Sequence, residues 1–214
     1  MSQASFRVPT PVNEPVLSYA PGSPERAELK QTLERMVAER LDIPLVIAGE
    51  AVRTGRLAEA RMPHDHRHVL ATYHQAEAPQ VQAAIAAALA AKPAWEALPF
   101  ADRAGVLLRA ADLLATRYRP ILNTSTMLGQ SKTAHQAEID AACELIDFFR
   151  FNARFAEQLL AEQPNNAPQV SNSFDYRALD GFVYAVTPFN FTSIAGNLPT
   201  APALMGNTVV FKPS

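Results

Sequence analysis

Two short apolar runs near the end of the chain, residues 182–186 (FVYAV) and 208–211 (TVVF), restrict the fold more than any other feature. Neither run alternates apolar with polar residues, so both belong in a sheet covered on its two faces, as parallel sheets are. Between them, SIAGNLPTAPALM reads as a helical connection interrupted by Pro199 and Pro202, and Gly206-Asn207 ends it. Strand, helical crossover and strand together make a parallel βαβ unit. One such unit is too little parallel sheet for a finished α/β domain. The expectation is therefore a larger sheet of which these 214 residues contain only the start.

The preceding residues divide by pattern. Residues 1–22 are proline-rich and read as an extended N-terminal arm. Ser23 is placed to cap a helix whose first position is Pro24, and Leu29, Leu33, Met36, Val37 and Leu41 give that helix one apolar face. IPLVIAGEAVRTG predicts two short strands around Gly49-Glu50, and HVLATYH a third. From Pro79 to about Glu162 the period is helical. Val81, Ile85 and Leu89 mark one helix; Val106, Leu107, Ala110, Leu113 and Leu114 mark the next; Ile121 to Leu128 carries a third. The fourth, KTAHQAEIDAACELIDFFRFNARFAEQLLAE, is apolar around most of its circumference and should lie between other elements. Residues 163–180 read as a polar loop followed by a short alternating strand, and residues 181–214 are the βαβ unit.

Composition limits the function classes. Hydrophobic residues make up 48% and charged residues 19% of the chain, with a net charge of -2 and a pI of about 6.2. No block of like charge occurs, so neither a nucleic-acid footprint nor a polybasic membrane patch is indicated. No apolar run reaches the length of a membrane span, and residues 1–17 lack the apolar core of a signal peptide. The lone Cys143 can form no internal disulfide, which fits a reducing compartment: the cytoplasm, or the mitochondrial matrix once a targeting segment has been removed.

In open α/β sheets, ligands bind outside the carboxyl ends of the strands. Asn190 and Lys212 both follow such ends, and both should face one crevice. A carboxamide offers uncharged N–H donors, which suit an oxygen that turns negative only in a transition state. Asn is equally a preferred N-cap for the helix that follows. Lys212 carries donors only and suits nucleotide hydroxyl or phosphate oxygens, or else it is a strand-end lysine reaching solvent. Glu144 shares a helical stripe with Asp140 and Asp147, the pattern of a solvated acidic face. His64, His66 and His68 fall at strand spacing, but no further ligands complete a metal set. Cys143, inside a helical run, reads as a small core residue, as do Trp95 and the phenylalanines of DFFRF.

GFVYAVTPFNFTSIAGNLPTAPALMGNTVVFKPS resembles the first part of the nucleotide-binding domain of the aldehyde dehydrogenase superfamily. The segments PFNFT, APALMGN, GQSKTAHQAEIDAACELIDFFRFNARFA and NEPVLSYAPGSPER are similar to the branch acting on L-glutamate gamma-semialdehyde. Phe189 stands where general members of the superfamily carry tryptophan. The resemblance implies an α/β fold of aldehyde dehydrogenase type, with an N-terminal helical part and the start of a Rossmann-like parallel sheet. It implies NAD as cofactor, a small semialdehyde as substrate, no metal, and a homo-oligomer at full length. It makes Asn190 the donor that stabilises the oxyanion. Lys212 would hold the adenosine ribose, with Thr187 and Ser214 beside the cofactor. Phe191 would border the aldehyde pocket, and Glu144 would face the substrate amine. Residues 163–180 match the region that pairs with a neighbouring subunit. The attacking cysteine and the general base would lie beyond Ser214, so the 214 residues alone should be inactive. Two alternatives are a related enzyme for another semialdehyde, such as that of succinate, and a non-catalytic assembly module.

Overall fold

A computed structural model of the chain describes residues 6–214. The Ser23 hydroxyl accepts from the Arg26 amide and opens α1 (Pro24–Ala38). The helix stops before Leu41, which starts a strand, β1 (Leu41–Ile43). β2 (Leu45–Ile47) and β3 (Glu50–Val52) form the antiparallel hairpin that the sequence predicts. Its turn places Ala48 and Gly49 at positive φ, a conformation that glycine adopts without strain. β4 (Leu57–Met62) is hidden in the sequence because its inward residues are Ala58, Ala60 and Met62, two of them too small to register as an apolar stripe. β5 (Asp65–His74) pairs antiparallel with β4 and parallel with β1, giving the sheet order β1-β5-β4.

The helical half follows as α2 (Ala78–Glu96), α3 (Phe100–Ala115), α4 (Arg119–Gln130), the single turn α5 (Ala134–Ala137) and α6 (Glu144–Ala161). Between α5 and α6 the backbone runs as a π-helical turn, Glu138–Cys143, where a continuous helix is the expectation. On α2 the expected stripe is displaced: Val81 and Leu89 are exposed and Ala88 is the buried residue. In an alanine-rich helix the few large residues do not mark the packed face. α6 does lie between other elements. Its Leu145, Ile146, Phe149, Ala153 and Ala156 pack against Ala104, Leu107 and Ala111 of α3, with Leu204 and Val8 completing the core.

Among the described residues, 171–179 form no strand, contrary to the alternating pattern, and the nearby pairing is a bridge between Ala167 and Val170. β6 (Val183–Val186), α7 (Thr192–Leu204) and β7 (Val209–Lys212) make the expected right-ordered unit, and β6 and β7 pair in parallel. α7 is not interrupted by its prolines. Side chains from elsewhere take up its terminal carbonyls: Trp95 Nε1 donates to Ala203 O at 2.8 Å, Arg103 Nε to Leu204 O at 2.9 Å and Asn207 Nδ2 to Pro202 O at 2.9 Å. Gly196 lets α7 approach α6, since a Cβ there would lie 2.6 Å from Leu145 Cδ1.

The described part of the N-terminal arm, residues 6–22, is extended but fastened, and residues 1–5 lie outside the described residues. Glu138, fully buried at the start of the π turn, pairs with Arg119 of α4 and accepts from the Leu17 amide, the Tyr19 hydroxyl and Asn123 Nδ2. Arg119 also pairs with Glu14, which in turn pairs with Arg150 of α6 at 2.6 Å. Further along the arm, the Val8 amide donates to Glu157 at 2.9 Å. Burial pushes the Glu138 carboxyl up, but the hydrogen bonds from Arg119, Leu17, Tyr19 and Asn123 outweigh it and hold its pKa below the usual glutamate value.

Removing one partner of such a pair strands the other as a buried charge. Arg119→Met should therefore lower stability by about 3–5 kcal/mol in a urea titration, whereas a surface pair such as Arg35–Glu39 should contribute about 0.5 kcal/mol. Because the folded pKa of Glu138 is depressed, its contribution is present above the unfolded glutamate pKa of about 4.3 and disappears as pH falls through the lower folded value. Glu138→Gln should flatten that acid limb of the stability profile.

Candidate active-site opening at the ends of β6 and β7

The register of the parallel pair runs from Val183↔Val209 to Val186↔Lys212. One further hydrogen bond, from the Thr187 amide to Lys212 O at 3.3 Å, closes the pair, so the carboxyl ends of both strands coincide. Lys212 shares the face of its partner Val186, while Thr187 falls on the buried face of Ala185. Thr187 is 5% exposed and its hydroxyl has no partner among the described residues. What Thr187 presents to the opening is thus chiefly backbone. Lys212 and Ser214 are exposed, and Lys212 makes no ion pair among the described residues.

Pro188 carries the chain out of β6, and Asn190 follows in an exposed bend. Asn190 does not cap α7: the N-cap position belongs to Phe191, and no side chain caps the helix. Among the described residues the Asn190 carboxamide makes no hydrogen bond. Its backbone carbonyl, however, accepts from Lys132 Nζ at 2.7 Å. Lys132 also pairs with Asp140 at 2.9 Å and sits 4.0 Å from the centre of the Phe191 ring.

Asp140, Glu144 and Asp147 do not make a solvated acidic face. Asp140 is held by Lys132; Asp147 accepts from Asn13 Nδ2 and the Glu14 amide, each at 2.7 Å; Glu144, half-buried, accepts from Ser193 Oγ at 2.6 Å. The start of α7 is pinned further by Thr192, whose hydroxyl meets Thr126 Oγ1 at 2.7 Å and Gln130 Nε2 at 2.8 Å. The structure therefore gathers Asn190, Phe191 and Glu144 around the first turn of α7, with Lys212, Thr187 and Ser214 at the adjoining sheet end. Sequence reasoning misses Lys132, Ser193 and Thr192. Lys132 lies 58 residues before the carbonyl it holds, and no local pattern encodes a contact over that distance.

The remaining candidates fall elsewhere. His64 lies in the turn before β5 and bonds Ser131 Oγ at 2.8 Å; among the described residues no His, Cys, Asp and Glu cluster has metal-binding geometry. Cys143 is buried, but in the charged network rather than among apolar side chains, 3.5 Å from an Arg119 nitrogen and 3.7 Å from Glu138. Burial, then the negative charge of Glu138, pushes its thiol up to about 12. Its thiol donates to Pro15 O at 3.8 Å and to Glu138 Oε1.

Residues 52–214 match the model of the aldehyde dehydrogenase family. The chain belongs to that family. Among its curated relatives, the delta-1-pyrroline-5-carboxylate dehydrogenase of Agaricus bisporus is 52% identical over 99% of this chain and 39% of the relative. The mitochondrial delta-1-pyrroline-5-carboxylate dehydrogenase of Emericella nidulans is 53% identical over 99% of this chain and 37% of its own length. A crystal structure of the Mycobacterium tuberculosis delta-pyrroline-5-carboxylate dehydrogenase bound with NAD superimposes with a TM-score of 0.97 at 55% identity, over all of this chain and 40% of that one. The chain thus spans about 40% of the length of these aldehyde dehydrogenases.

In this aldehyde dehydrogenase chain Cys143 should resist thiol reagents. Incubation with a chromogenic disulfide at neutral pH should release no signal from the native protein and one equivalent after denaturation; rapid native labelling would contradict the burial of Cys143.

Proposed function

We propose that these residues form the N-terminal part of an NAD-dependent dehydrogenase that oxidises L-glutamate gamma-semialdehyde to L-glutamate in proline catabolism. The observation that carries the reading is the unbonded Asn190 carboxamide beside the coincident ends of two parallel strands. The likeness to delta-1-pyrroline-5-carboxylate dehydrogenases along nearly the whole chain supports the substrate. Glu144, half-buried and aimed at the first turn of α7, supplies a carboxylate suited to the ammonium of an amino-acid semialdehyde. Phe191 provides an apolar wall next to it.

Attack of a thiolate on the aldehyde carbon moves negative charge onto the carbonyl oxygen. Asn190 Nδ2 donates to that oxygen more strongly as the charge grows, which lowers the barrier rather than merely tightening binding. Cys143, buried and protonated, is the sole thiol here, so the attacking cysteine is assigned outside these 214 residues. The same assignment makes the 214-residue polypeptide inactive by itself. The donors around the sheet end fit a dinucleotide: the unpaired Lys212 ammonium and the Ser214 hydroxyl suit ribose oxygens, and the Thr187 backbone flanks them. NAD, when bound, supplies the hydride acceptor.

The full-length enzyme is further proposed to be a homo-oligomer. Residues 171–179 find no strand partner among the described residues, while Phe174, Tyr176 and Leu179 stay exposed, as an edge awaiting a second copy would. An aqueous reducing compartment, the cytoplasm or the mitochondrial matrix, accords with the free thiol; no helix among the described residues is long and apolar enough to cross a membrane.

In the full-length enzyme Asn190→Ala should cost about 3 kcal/mol, roughly a hundredfold or more in kcat, with little change in the KM for NAD. Lys212→Ala should do the reverse, raising the KM for NAD about tenfold or more while largely sparing kcat. A kcat within twofold of wild type for Asn190→Ala would remove its assigned role. Glutamate semialdehyde should exceed succinate semialdehyde in kcat/KM, and the opposite order would reassign the substrate.

A further inference from the structure

We infer that Lys132 is a positioning residue for the reaction, holding the turn that carries Asn190. The inference rests on the oxyanion role proposed for Asn190 and adds what keeps that side chain in place. The turn from Pro188 to Asn190 is poorly secured by its own backbone. Strand pairing ends at the bond from the Thr187 amide to Lys212 O, and helical bonding resumes with the Ala195 amide on Phe191 O. Among the described residues, no hydrogen bond other than that from Lys132 reaches Pro188, Phe189 or Asn190. Phe189 offers no packing anchor, being 79% exposed. A catalytic donor on so loose a turn would sample many orientations, and a displacement of about 1 Å at a reacting group costs on the order of a hundredfold in rate.

Lys132 answers this with contacts of different kind. Its ammonium donates to Asn190 O at 2.7 Å and to Asp140 Oδ2 at 2.9 Å, and it lies over the Phe191 ring at 4.0 Å. The Lys132 side chain is 14% exposed and its bond to Asp140 is partly buried, whereas its bond to Asn190 O lies at the exposed turn. Local backbone geometry sends it there. α4 ends at Ser131, which is left-handed at φ 56° and ψ 32°, so the chain turns away from the helix axis immediately before Lys132. Asp140 on the π turn then fixes the lysine from the far side. A lysine that served only to neutralise Asp140 would not need the Asn190 carbonyl or the Phe191 face. Lysine also suits the task because one ammonium can serve two acceptors and a ring at once, in different directions.

The test uses the full-length enzyme with Lys132→Met, Lys132→Arg and Asn190→Ala, alone and with Lys132→Met combined with Asn190→Ala. Amide exchange in peptides covering residues 187–193 should be about tenfold faster in Lys132→Met, and peptides from the centre of α6 should be unchanged. Kcat should fall about tenfold or more with the KM for NAD unaltered, and Lys132→Arg should recover much of both properties. In the Asn190→Ala background, Lys132→Met should cost nothing further, because the group it positions is already gone. Unchanged exchange over 187–193 overturns the inference, as does a Lys132→Met loss that adds in full to that of Asn190→Ala. Should Asn190→Ala itself leave kcat intact, the oxyanion role of Asn190 falls, and the exchange comparison alone upholds or overturns the hold of Lys132 on the turn. If Lys132→Met does not fold, Lys132→Gln, which keeps a single donor, takes its place in each comparison.

Discussion

The ion pair between Arg119 and Glu138 holds together parts of the chain that no local preference would join. Glu138 is fully buried, and its carboxylate is surrounded by donors from α4, from the arm and from the arm's tyrosine. A buried pair of this kind is weak evidence for stability, since two apolar residues of equal volume often do as well. Its consequence is geometric. Charges that must be satisfied from several directions tolerate one arrangement, so the arm, α4 and the π turn are fixed relative to one another.

That arrangement extends to the opening at the sheet. The extra residue of a π turn shifts everything after it relative to an uninterrupted helix, and such turns often accompany functional positions. Here Asp140 within the turn reaches Lys132, and Glu144, immediately after it, reaches Ser193 at the start of α7. α6 thus rests on the clasp through its N-terminal end and supports the first half of α7 from the same end, where Gly196 allows close approach to Leu145. The site is held less by its own loop than by the helix beneath it. Stability and positioning meet in the same few side chains.

How much of this could be read in advance depended on the range of the interaction. The Ser23-Pro24 helix start, the hairpin at Gly49 and the βαβ unit are set by neighbouring residues, and the sequence shows each of them. β4 is not legible in the sequence because two alanines make up most of its inner face, and the large residues Val81 and Leu89 of α2 are exposed for a similar reason. The π turn is invisible to any search for a 3.6-residue period. Asn190 and Lys212 were legible as strand-end residues; that Asn190 leaves the capping position to Phe191 was not, since Asn suits a cap equally well. The stripe of Asp140, Glu144 and Asp147 reads as solvated in the sequence because the partners that cover these carboxylates come from three distant segments. Lys132 needed the fold itself.

The central claim is that one opening, at the joined ends of β6 and β7, receives both the reacting carbonyl and the dinucleotide. A crystal structure of the full-length enzyme with NAD and glutamate tests this most directly. The account predicts Asn190 Nδ2 within hydrogen-bond distance, about 2.7–3.2 Å, of a side-chain carboxylate oxygen of glutamate, and Lys212 Nζ equally close to a ribose hydroxyl. Asn190 turned back onto the α7 amides, or glutamate and ribose bound on opposite sides of the sheet from these two residues, would contradict it.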